Sequence, residues 1–323
     1  MKPIETTNQD VELHERGLSI TTFDNVHLGA RIFEPKGDAR ASVLMIGAVA
    51  VPQQFYARFA RSLARDGYRV LTFDYRGVGE SRPESLRGYR ATLTDWAERD
   101  YPAALDWLLT SHPERPIVAV GHSLGGQIVG LAPRAQELRA VATVASQSGY
   151  YGNFENSGRM ALNWRVLIPS VAATLGFVPG WLGVGTDLPS GVALEWAKWC
   201  LSPEYYLGSH PDYRAPISAF EKPLLALTFT DDDYAPLSNV LWLHDRYAAA
   251  QLEHRHLDPS DVGVEQVGHL GFFRPHVSHL WSQVSAFFSD VLSDATPTPR
   301  ARSSSLAWVT DAEVRAELEH GRA

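Results

Sequence analysis

Residues 116–126 read Pro116-Ile117-Val118-Ala119-Val120-Gly121-His122-Ser123-Leu124-Gly125-Gly126. Pro116–Gly121 is a short apolar run of the kind a strand buried on both faces needs, and Leu124–Ala135 is predicted as the helix that follows. Between them lies Gly-x-Ser-x-Gly. The pattern alone also fits a glycine-flanked turn with an incidental serine. A strand ending directly in a helix is the context that makes it a nucleophile elbow. A sharp turn makes the Ser123 hydroxyl protrude, and the nearby glycines relieve the crowding that the turn creates. The first N–H of the helix, at Leu124, and the positive end of the helix dipole then face any oxyanion formed there.

Outward from this stretch the same grammar repeats. Towards the N-terminus, Leu18–Phe23 and His27–Phe33 flank the turn pair Asp24-Asn25 and predict a hairpin. Ser42–Ala48 and Tyr68–Tyr75 read as strands. Phe55, Phe59 and Leu63 recur at helical spacing up to Asp66-Gly67, and a further helix is predicted from Asp95 to Ser111. After the central stretch come Val141–Ser146 as strand, Pro223–Thr230 as strand, Leu237–Ala249 as helix, Gln251–Leu257 as strand and Pro275–Leu292 as helix. Buried strands alternating with amphipathic helices form βαβ units, hence an α/β fold with a mostly parallel central sheet and helices on both faces. The alternation fails over Tyr150–Ala215, a Trp-, Pro- and Gly-rich segment. The expected organisation is therefore a first part of the core at 1–149, an insertion at 150–215, the rest of the core at 216–293, and a linker with a short helix at 294–323. Thr310 and Glu313 form a candidate capping box for that last helix.

Composition narrows the function. With 45% hydrophobic residues the chain can bury a large core, and a net charge of −8 argues against a general nucleic-acid binder. The first twenty residues lack the apolar run of a signal peptide, and no stretch approaches the ~20 apolar residues of a membrane span. A cytoplasmic protein without membrane insertion is the expectation. The single cysteine, Cys200, sits among Trp196, Trp199 and Leu201 and reads as packing. No metal set is expected, because His254 and His256 lie two apart on a strand with no Cys or carboxylate cluster to complete a site. No nucleotide cofactor is expected either, since Gly121–Gly126 lacks the Lys of a Walker loop.

A serine nucleophile needs a base, and the base needs an acid to orient it. His269, in Gly268-His269-Leu270-Gly271-Phe272-Phe273, falls between the last predicted strand and the last helix. His254 and His256 fall inside a strand pattern, His276 and His279 inside a helix pattern, and His122 beside the serine on a tight turn. Those five suit surface or packing roles. Asp231, Asp232 and Asp233 follow the Pro223–Thr230 strand, and each is a candidate acid.

From about Leu18 to Leu292 the chain resembles the α/β-hydrolase superfamily. The elbow, His269 and the turn Asp74-Tyr75-Arg76-Gly77-Val78-Gly79-Glu80-Ser81 carry the resemblance. Val51–Tyr56, Trp196–Cys200 and Gly268–Phe273 are similar to bacterial predicted hydrolases near the serine aminopeptidase-like and monoglyceride-lipase-like branch. The resemblance implies the chain order Ser, Asp, His. It also implies an acid four residues before a proline, so Pro236 selects Asp232. The Asp74–Ser81 turn would shape a loop beside the site. Where relatives carry His-Gly, this chain has Ile46-Gly47-Ala48-Val49. The Ala48 N–H would join that of Leu124 in the oxyanion hole, with Val49 as the alternative. The insertion would be a lid whose aromatics (Trp164, Trp181, Trp196, Trp199, Phe154, Phe177, Tyr205 and Tyr206) chiefly pack it onto the sheet. The expected activity is hydrolysis of an ester, or less readily an amide or thioester, of an apolar small molecule. Acyl transfer and carbon–carbon bond hydrolysis use the same triad. A ligand-binding protein that kept the fold without the chemistry is the alternative from another class.

Overall fold

The computed structural model describes residues 13–183 and 185–293, together with the backbone of residues 303–305. Its strands are β1 (His14–Thr21), β2 (His27–Glu34), β3 (Ala41–Ile46), β4 (Tyr68–Phe73), β5 (Ile117–His122), β6 (Leu138–Val144), the short β7 (Phe177–Val178) and β8 (Leu188–Pro189), β9 (Pro223–Phe229), β10 (Gln251–Leu257) and β11 (Ser303–Ser305). One sheet runs β1-β2-β4-β3-β5-β6-β9-β10-β11. β1 and β2 are antiparallel to their neighbours, and every pairing from β4 to β11 is parallel. This is the α/β-hydrolase arrangement that the resemblance implied.

The sheet is sorted by strand alternation into two cores. Val43, Met45, Val70, Val118, Val120, Ala142 and Leu225 face one side. There they meet Phe59 and Leu63 of the helix Ala57–Arg65 and Phe287 and Phe288 of the helix Ser282–Ser293. Leu44, Ile46, Leu71, Ala119, Val141 and Leu224 face the other, against Leu105 and Leu108 of the helix Tyr101–Ser111. Full burial of a side chain such as Phe59 or Leu63 contributes about 2 kcal/mol each. That commitment on both faces fixes the strand register.

The sheet order also decides where a site can form. β3 and β5 are neighbours, but the chain leaves β3 towards β4 on one side and β5 towards β6 on the other. At such a switch point the carboxyl ends open into a crevice. The loop after β3 and the turns after β5, β9 and β10 all lie at that edge.

Two expectations need correction in detail. The helix after Ser123 is α-helical only over Leu124–Ile128, not to Ala135. Pro133 cannot donate to a helical ladder. Tyrosine hydroxyls bond the backbone of the shortened stretch: Tyr101 Oη donates to the Val129 carbonyl at 2.8 Å, and Gly130 N–H donates to Tyr247 Oη at 3.3 Å. Second, the region 150–215 is not free of strands. It carries the antiparallel pair β7·β8 between the helices Ile168–Leu175 and Ser190–Cys200. Trp199, Tyr205 and Tyr206 are buried and pack it down, whereas Trp181 is 79% exposed. Cys200 is buried and free, as a packing residue would be. Of the last thirty residues, the anticipated helix near Thr310 and Glu313 lies outside the described residues. Among the described residues, no helix is long and apolar enough to cross a membrane.

Candidate active site

Ser123 directly follows β5 with φ 50° and ψ −110°, a conformation that costs a non-glycine residue of order 1–3 kcal/mol. The surroundings enforce it. Ser123 N–H donates to the Val144 carbonyl of β6 at 2.9 Å, and its own carbonyl accepts from Gly126 N–H at 3.1 Å. The glycines around it are demanded by space. A Cβ on Gly121 would lie 2.5 Å from Gly126 N, and one on Gly125 would lie 2.0 Å from the Ile46 carbonyl oxygen. The turn can be this tight only because the helix backbone rests directly on β3 and β5.

The three side chains expected together are brought together. Ser123 Oγ donates to His269 Nε2 at 3.0 Å, and His269 Nδ1–H is shared by both Asp232 oxygens at 2.9 and 3.1 Å. Asp232 is 5% exposed and Ser123 8%, while the His269 side chain keeps 16% of its surface. His269 stands on the short helix Gly268–Gly271, which replaces the expected loop. Asp231 holds that segment: its carboxylate accepts from the N–H groups of Val267 and Gly268 at 2.8 and 3.0 Å. Asp233 is exposed. The triplet thus separates into a carboxylate facing His269, a clamp and a solvated residue.

The other candidate histidines bond other partners. His122 is fully buried with both nitrogens engaged, and burial pushes its pKa down to about 3. His254 and His256 share Thr228 Oγ1 at 2.8 and 2.9 Å. His276 and His279 bond carbonyls at the surface.

The expectation for Ala48 gives way. Its N–H donates to Tyr56 Oη at 2.9 Å and is spent there. The next N–H, of Val49, is bracketed by two fixed neighbours. Ala50 has φ 56°, and its carbonyl accepts from both Thr186 N–H (2.9 Å) and Thr186 Oγ1 (3.1 Å). Val49, the alternative donor, is the residue between these two anchored positions. The Leu124 N–H stands at the head of the elbow helix. With five residues in that helix the macrodipole is small, and the direct N–H is what counts.

The Asp74–Ser81 turn buttresses the site from behind. Asp74 accepts from Gln53 N–H (2.7 Å) and Glu80 N–H (2.9 Å), while Arg76 forms a buried pair with Asp100 at 2.7 Å and reaches Asp24 at 2.8 Å. It ties the hairpin, β4 and the loop after β3 into one piece. The insertion touches the site on two sides, through Thr186 on Ala50 and through Tyr205 Oη, which donates to Gln127 Oε1 of the elbow helix at 3.2 Å. Sequence reasoning assigned Tyr56 no role beyond its place in Val51–Tyr56, and Asp231 only that of an alternative acid. Tyr56 stands just before the helix Ala57–Arg65, beside the apolar residues Phe55 and Phe59.

The model of the alpha/beta hydrolase family matches residues 45–278. The quorum-quenching protein AidA of Acinetobacter baumannii is 31% identical over 145 residues, which is 43% of this chain and 45% of that protein. The match therefore spans under half the length of that relative. Among solved structures, an esterase of Pyrococcus furiosus superposes with a TM-score of 0.58 at 19% identity, covering 88% of this chain and 94% of that one. A lipase in its open form superposes with a TM-score of 0.59 at 16% identity, covering 87% and 100%. At those identities the two structures speak for the fold.

Proposed function

The chain belongs to the alpha/beta hydrolase family, and from that premise we propose that it is a serine hydrolase cleaving esters with an apolar acyl or alcohol part. The observation that carries the reading is the continuous row from Ser123 Oγ through the His269 ring to Asp232, at 3.0 and 2.9 Å. In this scheme Ser123 Oγ attacks the ester carbonyl while its proton passes to His269 Nε2. Asp232 keeps the proton of Nδ1 in place and stabilises the imidazolium. The oxyanion is held by the N–H groups of Leu124 and Val49. Collapse expels the alcohol, which takes the proton from Nε2. Water then gives a proton to the same nitrogen, attacks the acyl-enzyme and releases the acid and Ser123. The segment 150–215 acts as a lid that limits water. Tyr234 and Leu270, both exposed and each one or two residues from a triad member, give the mouth its apolar character.

Labelling with a fluorophosphonate, read by intact mass, tests the nucleophile. One adduct is expected on the parent and none on Ser123→Ala. An unlabelled, folded parent would sink the proposal and favour a binding protein with this fold. A panel of 4-nitrophenyl esters from acetate to dodecanoate reads the acyl preference, and product analysis separates hydrolysis from acyl transfer and carbon–carbon cleavage. Likeness to a quorum-quenching protein favours one narrower reading, in which the ester belongs to a bacterial signal molecule. N-acyl homoserine lactones of graded chain length, added to the panel, decide it.

A further inference from the structure

Hydrolysis as described leaves two buried polar side chains without a task. Tyr56, 1% exposed, and His122, fully buried, lie behind the elbow. Ala48 N–H donates to Tyr56 Oη at 2.9 Å; Tyr56 Oη lies 2.8 Å from His122 Nδ1; His122 Nε2 lies 2.9 Å from the carbonyl oxygen of His269. The proton positions follow from chemistry. A carbonyl only accepts, so Nε2 carries the hydrogen. Nδ1 of a neutral ring then has the lone pair and takes the tyrosine hydroxyl hydrogen, and the tyrosine oxygen accepts from Ala48. Burial favours the neutral ring, and Phe273 seals the pair, with its ring centroid 4.8 Å from His122 and 4.9 Å from Tyr56. The result is one directed chain of hydrogen bonds between two backbones that matter: the loop carrying Val49 and the residue carrying the base.

We propose that Tyr56 and His122 are positioning residues for ester hydrolysis, locking the loop Gly47–Ala50 and the main chain of His269 to a common frame around Ser123. The inference rests on the triad reading above. Without the chain, the Ala48 peptide could rotate, and the loop carrying the proposed Val49 donor would lose its tie to the elbow. His269 would likewise lose the hydrogen bond from His122, which ties its carbonyl to the end of β5 beside the nucleophile. A buried polar chain of this kind adds little stability over an apolar filling of the same shape, so its value lies in fixing geometry.

The test uses 4-nitrophenyl butyrate as substrate and a trifluoromethyl ketone as inhibitor, because its hemiketal oxyanion needs the same donors as the reaction. Tyr56→Phe keeps the ring against Phe55 and Phe273 and removes only the hydroxyl. His122→Phe removes both nitrogens, and His122→Gln restores one acceptor and one donor. In Tyr56→Phe and His122→Phe, kcat is expected to fall about tenfold or more, with KM within about twofold and ketone affinity falling in step. His122→Gln should recover most of the loss. A merely structural role would lower the melting temperature without separating kcat from KM. Turnover within about twofold of the parent in folded Tyr56→Phe and His122→Phe would overturn the proposal. Should Tyr56→Phe fail to fold, the two His122 variants carry the test, and equal losses in both would overturn it. Ser123→Ala is measured alongside. If it hydrolyses the ester at the parent's rate, the triad reading itself fails; if it is inert while Tyr56→Phe is unchanged, only the positioning role fails.

Discussion

Three consecutive aspartates show how little residue type says without placement. Asp232 faces the His269 ring, Asp231 accepts two backbone N–H groups, and Asp233 meets solvent. Substitution should separate them. Asp232→Asn presents His269 with an amide and favours the wrong tautomer, so kcat is expected to fall by about 10³–10⁴ with the fold intact. Asp231→Ala leaves the Val267 and Gly268 N–H groups without an acceptor and should cost about 1–3 kcal/mol in urea unfolding. Asp233→Ala should change neither quantity. Equal losses of kcat in Asp231→Ala and Asp232→Asn would refute the division of roles. The family resemblance, through the spacing to Pro236, singled out Asp232, and it is the carboxylate that faces the His269 ring. The clamp made by Asp231 was not legible, because it depends on two N–H groups 36 and 37 residues away in the chain. Ala48 was misread for a related reason: what occupies its N–H is a hydroxyl arriving from the next helix.

At the level of elements, the elbow depends on a helix lying closer to the sheet than side chains normally permit. A Cβ at Gly125 would strike the Ile46 backbone oxygen, which cannot move without breaking β3. Gly125→Ala should therefore cost about 3 kcal/mol or more by overpacking. Gly17→Ala, on β1 with nothing within 4 Å of the added atom, should stay within about 0.5 kcal/mol. Urea unfolding of the two variants checks the contrast, and equal stabilities would refute the close-packing account. The central strands were legible because each is a short apolar run, and the more polar Gln251–Leu257 is found with the bounds read from the sequence. Helix ends were not, as at Ile128, where partners from distant tyrosines substitute for the ladder. The β7·β8 pair was missed because two-residue strands contain no alternation to detect.

For the molecule as a whole, buried imidazoles set the response to acid. Burial lowers His122 and His254 to about 3 and His244 to about 4, whereas in the unfolded chain a histidine titrates near 6.5. Between those values the unfolded state binds protons that the folded state refuses. Each ring therefore weakens the fold by about 1.4 kcal/mol per pH unit as pH falls from about 6.5 towards 4. Asp74 and Asp100, whose carboxyls burial raises, offset part of this. Urea midpoints should fall over that window, and His244→Gln should make the slope shallower. A flat profile would show that the rings are protonated in place.

The sheet order has one more consequence, and it concerns time. Ser123 and His269 are 146 residues apart in the chain, and the strands that seat them are joined only through β6, β9 and β10. Such parallel pairings are distant in sequence and slow to form. A ribosome-bound chain that has already made β5 and its elbow still lacks His269, the proposed base, beside the serine. Under the proposed triad, reactivity would be withheld until synthesis has passed His269 and the far half of the sheet has closed, leaving the nascent protein chemically silent for most of its assembly.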